Sequence, residues 1–134
     1  MVVADTHVLI QDALTPQRLS PRARKTIQRE ADQGTLAASD ISLWEIAMLI
    51  AKGRLDPDKD AKAFLDDLIL SRKLIMLPIT AAIAVRAQSD EFPQGDPADR
   101  IIAATARDLG ATLITRDRAL LQYGEQGHVR VVEC

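Results

Sequence analysis

Cysteine, aromatic residues and long apolar runs are all scarce in this 134-residue chain, and each scarcity removes a class of explanation. A single cysteine, Cys134, permits no intrachain disulfide and no cysteine-built zinc site. Aromatics make up 3% of the sequence, so the core must rest on Leu, Ile, Val and Ala, and a stacking platform for bases is not expected. No apolar stretch approaches the roughly 20 residues that cross a bilayer. The opening Met1-Val2-Val3-Ala4-Asp5 also lacks the basic-then-apolar layout of an export signal. The expectation is a soluble cytoplasmic protein without a membrane partner. Excess positive charge is missing too: 17 Lys and Arg stand against 19 Asp and Glu, a formal net charge of −2. Nothing global attracts a polyanion, and any nucleic acid would have to be held by local patches.

What is present is ordinary globular composition, 47% hydrophobic and 27% charged, at a length suited to one domain over residues 1–134. Val2-Val3-Ala4 reads as a short buried strand running into a helix cap at Asp5-Thr6. Ser20-Pro21 opens a helix to about Asp32, stopped by Gly34, and Thr35 to Ala38 is a second strand. Apolar residues cover most of the circumference of a helix from Ile41 to Lys52, with Trp44 among them, which predicts a largely buried helix. An amphipathic helix follows from Pro57 to Ser71, then a strand at Leu74 to Leu77 and a helix from Thr80 to Ser89. Asp90 to Gly95 reads as an exposed loop. Asp96-Pro97 opens a helix ending near Gly110, Ala111 to Ile114 is a strand, Arg116 to Tyr123 a short helical segment and Val129 to Val132 a last strand. This alternation predicts an α/β fold, a three-layer α/β/α sandwich around a mostly parallel sheet.

In such sheets ligands gather beyond the carboxyl ends of the strands, which directs attention to Asp5, Glu45, Asp99 and Asp117. Each has a local explanation. Asp5 and Asp117 can cap the helices that follow them, and Asp96 with Pro97 is a strong helix start. Ser42 to Glu45 matches a capping box, and Asp99 occupies a dipole-compensating first turn. Together the acids are harder to explain, because carboxylates gathered at one sheet edge raise one another's pKa unless a cation neutralises them. All the donors are oxygens, which favours Mg²⁺, with Mn²⁺ as a substitute. Such an ion can activate water for in-line attack on a phosphodiester.

Asp5-Thr6-His7, Ser42-Leu43-Trp44-Glu45-Ile46-Ala47, Lys52-Gly53-Arg54-Leu55, Asp96-Pro97-Ala98-Asp99-Arg100-Ile101-Ile102-Ala103 and Thr115-Arg116-Asp117 follow one another along the chain. In that order they resemble the PIN-domain ribonucleases, and specifically the VapC-type toxins of type II toxin–antitoxin systems, from about residue 2 to residue 123. The resemblance implies metal-binding acids at Asp5, Glu45, Asp99 and Asp117, with Asp96 auxiliary and Thr115 orienting the last acid. It also implies an RNA substrate, a cognate antitoxin that blocks the site, and a homodimer. Ala98, Gln94-Gly95 and Gln11 depart from the family pattern without removing a carboxylate.

Arg100, Arg116 and Arg118 adjoin the acids and can hold a phosphate or balance charge, and Arg100 and Arg116 are taken as substrate-binding. Arg18, Arg22, Arg24, Lys25 and Arg29 read as a solvated face. Lys52 and Arg54 suit the C-terminal end of their helix. His7 is expected in packing or hydrogen bonding, and Trp44 in the core. Two rival readings stand beside this one, and only the first keeps the fold. One is a non-catalytic binding module whose acids serve partner docking. The other is a phosphoacceptor receiver, which fits poorly because the third strand leads to Leu77-Pro78-Ile79-Thr80.

Overall fold

Alternating side chains decide the architecture. In the computed structural model, which describes residues 1–89, 91–92 and 95–134, five strands form one all-parallel sheet in the order β3-β2-β1-β4-β5. They are β1 (Val2–Ala4), β2 (Leu36–Ser39), β3 (Ile75–Leu77), β4 (Thr112–Thr115) and β5 (Val131–Glu133). Val2, Ala4, Leu36, Ala38 and Ile114 face one core, together with Val8 and Leu9 of α1 (Thr6–Leu14), Ile27 of α2 (Pro21–Gln33), Ile46 of α3 (Asp40–Ala51) and Phe64 of α4 (Ala61–Arg72). Val3, Ala37 and Leu113 face a second core, with Ile83 of α5 (Ala81–Arg86), Ile102 of α6 (Pro97–Leu109) and Leu120 of α7 (Arg118–Glu125). A period of two on the strands thus places helices on both faces, giving the expected α/β/α sandwich.

From central β1 the chain steps outward to β2 and β3, then returns to the other side of β1 for β4 and β5. The reversal makes the carboxyl ends of β1 and β4 a topological switch point, where such folds bind ligands. Asp5 donates its N–H to the Ile114 carbonyl at 3.1 Å, so the two strand ends are held side by side.

Several boundaries differ from expectation for local reasons. The fourth long helix starts at Ala61, because Asp58 has a left-handed φ of 59° and Asp60 caps the helix through the Ala63 N–H at 3.2 Å. α5 ends at Arg86, three residues before the expected Ser89. β2 and β4 run one residue further than expected, into Ser39 and Thr115, both fully buried polar residues that carry the sheet into the site. Asp90, Pro93 and Gln94 of the expected loop lie outside the described residues. Phe92 in that loop is buried, not exposed, and stacks on Tyr123 with ring centroids 4.8 Å apart. Gly34 and Gly110 end α2 and α6 at φ of 72° and 62°, a left-handed turn that glycine adopts without a Cβ clash.

Candidate active site

Asp5 sits directly after β1, buried, with both carboxylate oxygens engaged. Oδ1 caps α1 by accepting from the Val8 N–H at 3.0 Å, and Oδ2 accepts from the Thr115 hydroxyl. The capping reading and the site reading of Asp5 therefore both hold. Thr115, at the end of β4, passes the connection on, because its hydroxyl oxygen accepts from the Asp117 N–H at 3.0 Å. Asp117 in turn caps α7 through the Leu120 N–H at 3.1 Å. One hydroxyl thus fixes two acids from opposite sides of the switch point.

Glu45 reaches the same place from α3. Ser39 caps that helix by accepting from the Ile41 N–H at 3.2 Å, so Ser42 is inside the helix and no capping box exists. Ser42 instead shares a 2.9 Å hydrogen bond with the Thr6 hydroxyl, tying α3 to α1 beneath the site. Glu45 is 4% exposed, and its Oε1 is buried with no hydrogen-bond partner among the described residues. Asp96 caps α6 through the Ala98 N–H at 2.9 Å, which leaves Asp99 one turn along with no hydrogen bond among the described residues.

The acids act on one another. Burial pushes the Asp99 carboxyl up to about 7, and the charges of Asp117, Asp96, Asp5 and Glu45 push it the same way. Burial also raises Asp5, opposed by the Thr115 and Val8 hydrogen bonds and by the positive charge of His7. Glu45 is raised by burial and by Asp96, and eased by Thr6. Five carboxylates from four stretches of chain therefore feel each other, and no Lys or Arg pairs with any of them among the described residues.

Among the described residues no three His, Cys, Asp or Glu side chains are assembled into a ready-made metal cage. A Mg²⁺ ion does not require one, because it usually takes one or two carboxylates and completes its octahedron with water and phosphate oxygens. An all-oxygen donor set, an orphaned buried Glu45 oxygen and an Asp99 carboxyl pushed up by burial and by neighbouring carboxylates all fit such a cation. They do not fit a closed structural zinc site.

A family model for the PIN domain matches residues 2–126. The chain belongs to the PIN-domain family. It is 39% identical over 123 residues to Ribonuclease VapC22 of Mycobacterium tuberculosis (strain ATCC 25618 / H37Rv), covering 91% of each chain. Among solved structures it resembles VapBC2 from Rickettsia felis bound to a promoter DNA fragment, with a TM-score of 0.72 at 18% identity over 99% of this chain and 98% of that one. It resembles DNA-bound VapBC from Salmonella typhimurium equally, with a TM-score of 0.72 at 21% identity over 98% and 96% of the two chains. At such identities these two establish the shared fold.

Several residues of this PIN domain stand elsewhere than the sequence suggested. Trp44 is 62% exposed and takes no part in the core. Adjacent helical residues point about 100° apart, so a helix that turns Glu45 inward to the acids carries Trp44 away from the sheet. His7 is exposed, not packed, and its charge bears on Asp5 and Glu45. Arg100 is engaged with backbone, donating from Nε to the Ala87 carbonyl at 2.7 Å and from Nη2 to the Ser89 carbonyl at 3.1 Å. Those bonds tie α6 to the end of α5, so the guanidinium expected to meet substrate is engaged with backbone here. Arg116 is exposed beside Asp117. The role of Cys134 was not foreseen: its N–H donates to the Thr115 carbonyl at 3.1 Å, bringing the end of β5 against the site. Only the pairing of β5 with β4 reveals that neighbourhood, and no local motif announces it.

Proposed function

We propose that this PIN domain is a Mg²⁺-dependent endoribonuclease that hydrolyses phosphodiester bonds of single-stranded RNA, and that it is the toxin of a type II toxin–antitoxin pair. Mn²⁺ is expected to substitute for Mg²⁺. The observation that carries this reading is the mutual charge coupling of Asp5, Glu45, Asp99 and Asp117 at the switch point, with no Lys or Arg paired to any of them among the described residues. The 39% identity to a protein named as a ribonuclease supports it, and the VapBC names of its structural neighbours support an antitoxin partner. The cytoplasm, where RNA and such a partner are found, is the proposed location, and a homodimer the proposed assembly. No described helix is long and apolar enough to cross a membrane.

In this reading Asp5 and Asp99 hold the ion, which when bound supplies Lewis-acid activation of water and charge neutralisation at phosphorus. Thr115 keeps the Asp5 carboxylate aimed and sets the backbone of Asp117, so two acids keep a fixed geometry without substrate. Glu45, buried beside them, offers an unpartnered oxygen that can orient a water or accept its proton. Asp96 adds negative charge that makes cation binding more favourable, and Arg116 meets a phosphate oxygen of the RNA. Purified protein is expected to cut single-stranded RNA with Mg²⁺ or Mn²⁺, and to lose about a thousandfold in rate with chelator, Asp5→Ala or Asp99→Ala. Undiminished cleavage by both variants would defeat the assignment and leave a binding module.

A further inference from the structure

Five arginines against two glutamates line a groove of about 1360 Å³ beside β5, in a chain whose net charge is −2. The groove does not contain the catalytic acids; it begins next to them. Arg116 and Arg118 flank Asp117, and Cys134 at the near end hydrogen-bonds the carbonyl of Thr115, whose hydroxyl holds Asp5. Arg130 lies on the approach to β5 and Arg22 in the first turn of α2, so the cations come from three separate elements and not from one solvated helix face. Arg22, Arg116 and Arg118 carry no ion pair among the described residues, and Arg130 makes one bond to the Gly110 carbonyl. Arg107, by contrast, is held by His128, Tyr123 and Glu91 and serves the wall. Past Arg22 a second groove of about 430 Å³, bordered by Lys25 and Arg29, continues around the edge strand.

We propose that the β5 edge is the track along which a single-stranded nucleic acid leaves the active site, its phosphodiester backbone gripped by Arg116, Arg118, Arg130 and Arg22. This rests on the nuclease reading and specifies how its substrate is held. A strand with one phosphate at the acids must continue in some direction, and the surface beginning at Asp117 carries uncompensated cations that phosphates would satisfy. The scarcity of aromatics fits as well, because such a track grips the backbone and needs no stacked bases. An acidic protein segment is the competing occupant. It is disfavoured because the cations start at the acids themselves, where a polymer undergoing cleavage must pass.

The test uses an Asp99→Asn parent and fluorescein-labelled single-stranded RNA or DNA of about 15 nucleotides, titrated by anisotropy across about 50 to 200 mM KCl with Mg²⁺. Arg118→Gln/Arg130→Gln is expected to weaken RNA binding about tenfold at the lowest salt and to reduce the log–log salt slope by about 1.4, two contacts at about 0.7 each. The lysine pair Arg118→Lys/Arg130→Lys should keep the slope. Lys59→Gln/Lys62→Gln, on exposed surface around the start of α4, is an equal charge change and should leave binding alone. Equal loss for single-stranded DNA identifies the phosphates as the contact, whereas loss for RNA alone assigns the ribose and overturns the proposal. RNA affinity within about twofold of the parent also overturns it. If that result comes with lost binding of poly-glutamate, the groove is a docking face for an acidic protein. Wild-type cleavage in the same series separates the two readings: intact cleavage with unchanged binding removes only the track, and no cleavage removes the nuclease.

Discussion

Two carboxylates in this molecule are taken out of water in opposite ways. Asp12 on α1 is almost fully covered, and Arg72 on α4 meets both of its oxygens at 2.8 Å while also reaching Gln28. Asp99, partly buried at the switch point, has neither a cation nor a hydrogen bond among the described residues, and four other acids press on it. The first arrangement is what stability selects: a planar guanidinium matched to a carboxylate fork. The second leaves a charge that the proposed metal ion would neutralise. Where the fold could have placed an arginine among the acids, it keeps Arg100 on backbone carbonyls and Arg116 at the rim.

The largest effect on stability should come from breaking the paired site. Arg72→Ala leaves Asp12 without its partner and is expected to destabilise by about 3 kcal/mol, the lower end for a broken buried pair because Arg72 is partly exposed. At about 4 °C per kcal/mol that is a fall of roughly 12 °C in Tm. RNA cleavage well below the transition should be unchanged. A Tm within about 2 °C of wild type would mean that the two carboxylates are not distinguished by pairing after all.

The opposite sign is expected at Asp99. Its folded pKa of about 7 lies above the ordinary 3.8, so between those values the folded chain holds a proton that the unfolded chain has lost. Stability therefore falls as pH rises through that window, and the full penalty is present above it. Asp99→Asn removes the penalty. With solvent screening discounted, it should stabilise by about 1 to 2 kcal/mol near pH 8, a gain of roughly 4 to 8 °C, and by almost nothing near pH 5. Mg²⁺ should raise the wild-type Tm near pH 8 and do less for the variant. Equal Tm values for the two proteins at both pH values would show that the acids do not repel as the structure implies.

Thr115 joins the two kinds of burial, since it satisfies groups inside the site. Thr115→Val removes the bond that holds Asp5 down and orphans the Asp117 N–H, for about 1 kcal/mol of stability and about tenfold in cleavage. With that bond gone, the acidic limb of the pH–rate profile should move to higher pH, while Thr115→Ser restores it. A rate loss with no movement of the limb would make Thr115 a packing residue.

The sequence carried the frame of this site well and its neighbourhood poorly. Strand-ending acids, proline-opened helices and glycine stops are local signals, and Asp5, Asp96, Asp117, Gly34 and Gly110 stand where those signals put them. Ser42 to Glu45 misled because a capping box and a mid-helix serine look the same until the helix start is known, and here Ser39 starts it. Arg22 read as part of a solvated face and Arg130 as no more than a residue of the last strand, because β5 brings them beside Arg118 only by pairing with β4 at the far end of the chain.

The smallest expected effect concerns Trp44, and it is informative because it is small. In α3 a tryptophan faces solvent while the neighbouring glutamate is buried, the reverse of what burial energetics prefers for the two side chains. The face that buries Ser42, Glu45 and Ile46 turns the aromatic outward. Trp44→Ser should therefore change stability by no more than the roughly 0.5 kcal/mol typical of a surface site, where a core tryptophan would lose about 3 to 5 kcal/mol. Glu45→Gln should in turn stabilise near pH 8, as Asp99→Asn does, because it relieves a raised carboxyl. If Trp44→Ser unfolds the protein and Glu45→Gln is neutral, the helix is seated by its aromatic and not by its acid. The contrast between a paired structural carboxylate and a cation-seeking functional one would then fail at α3.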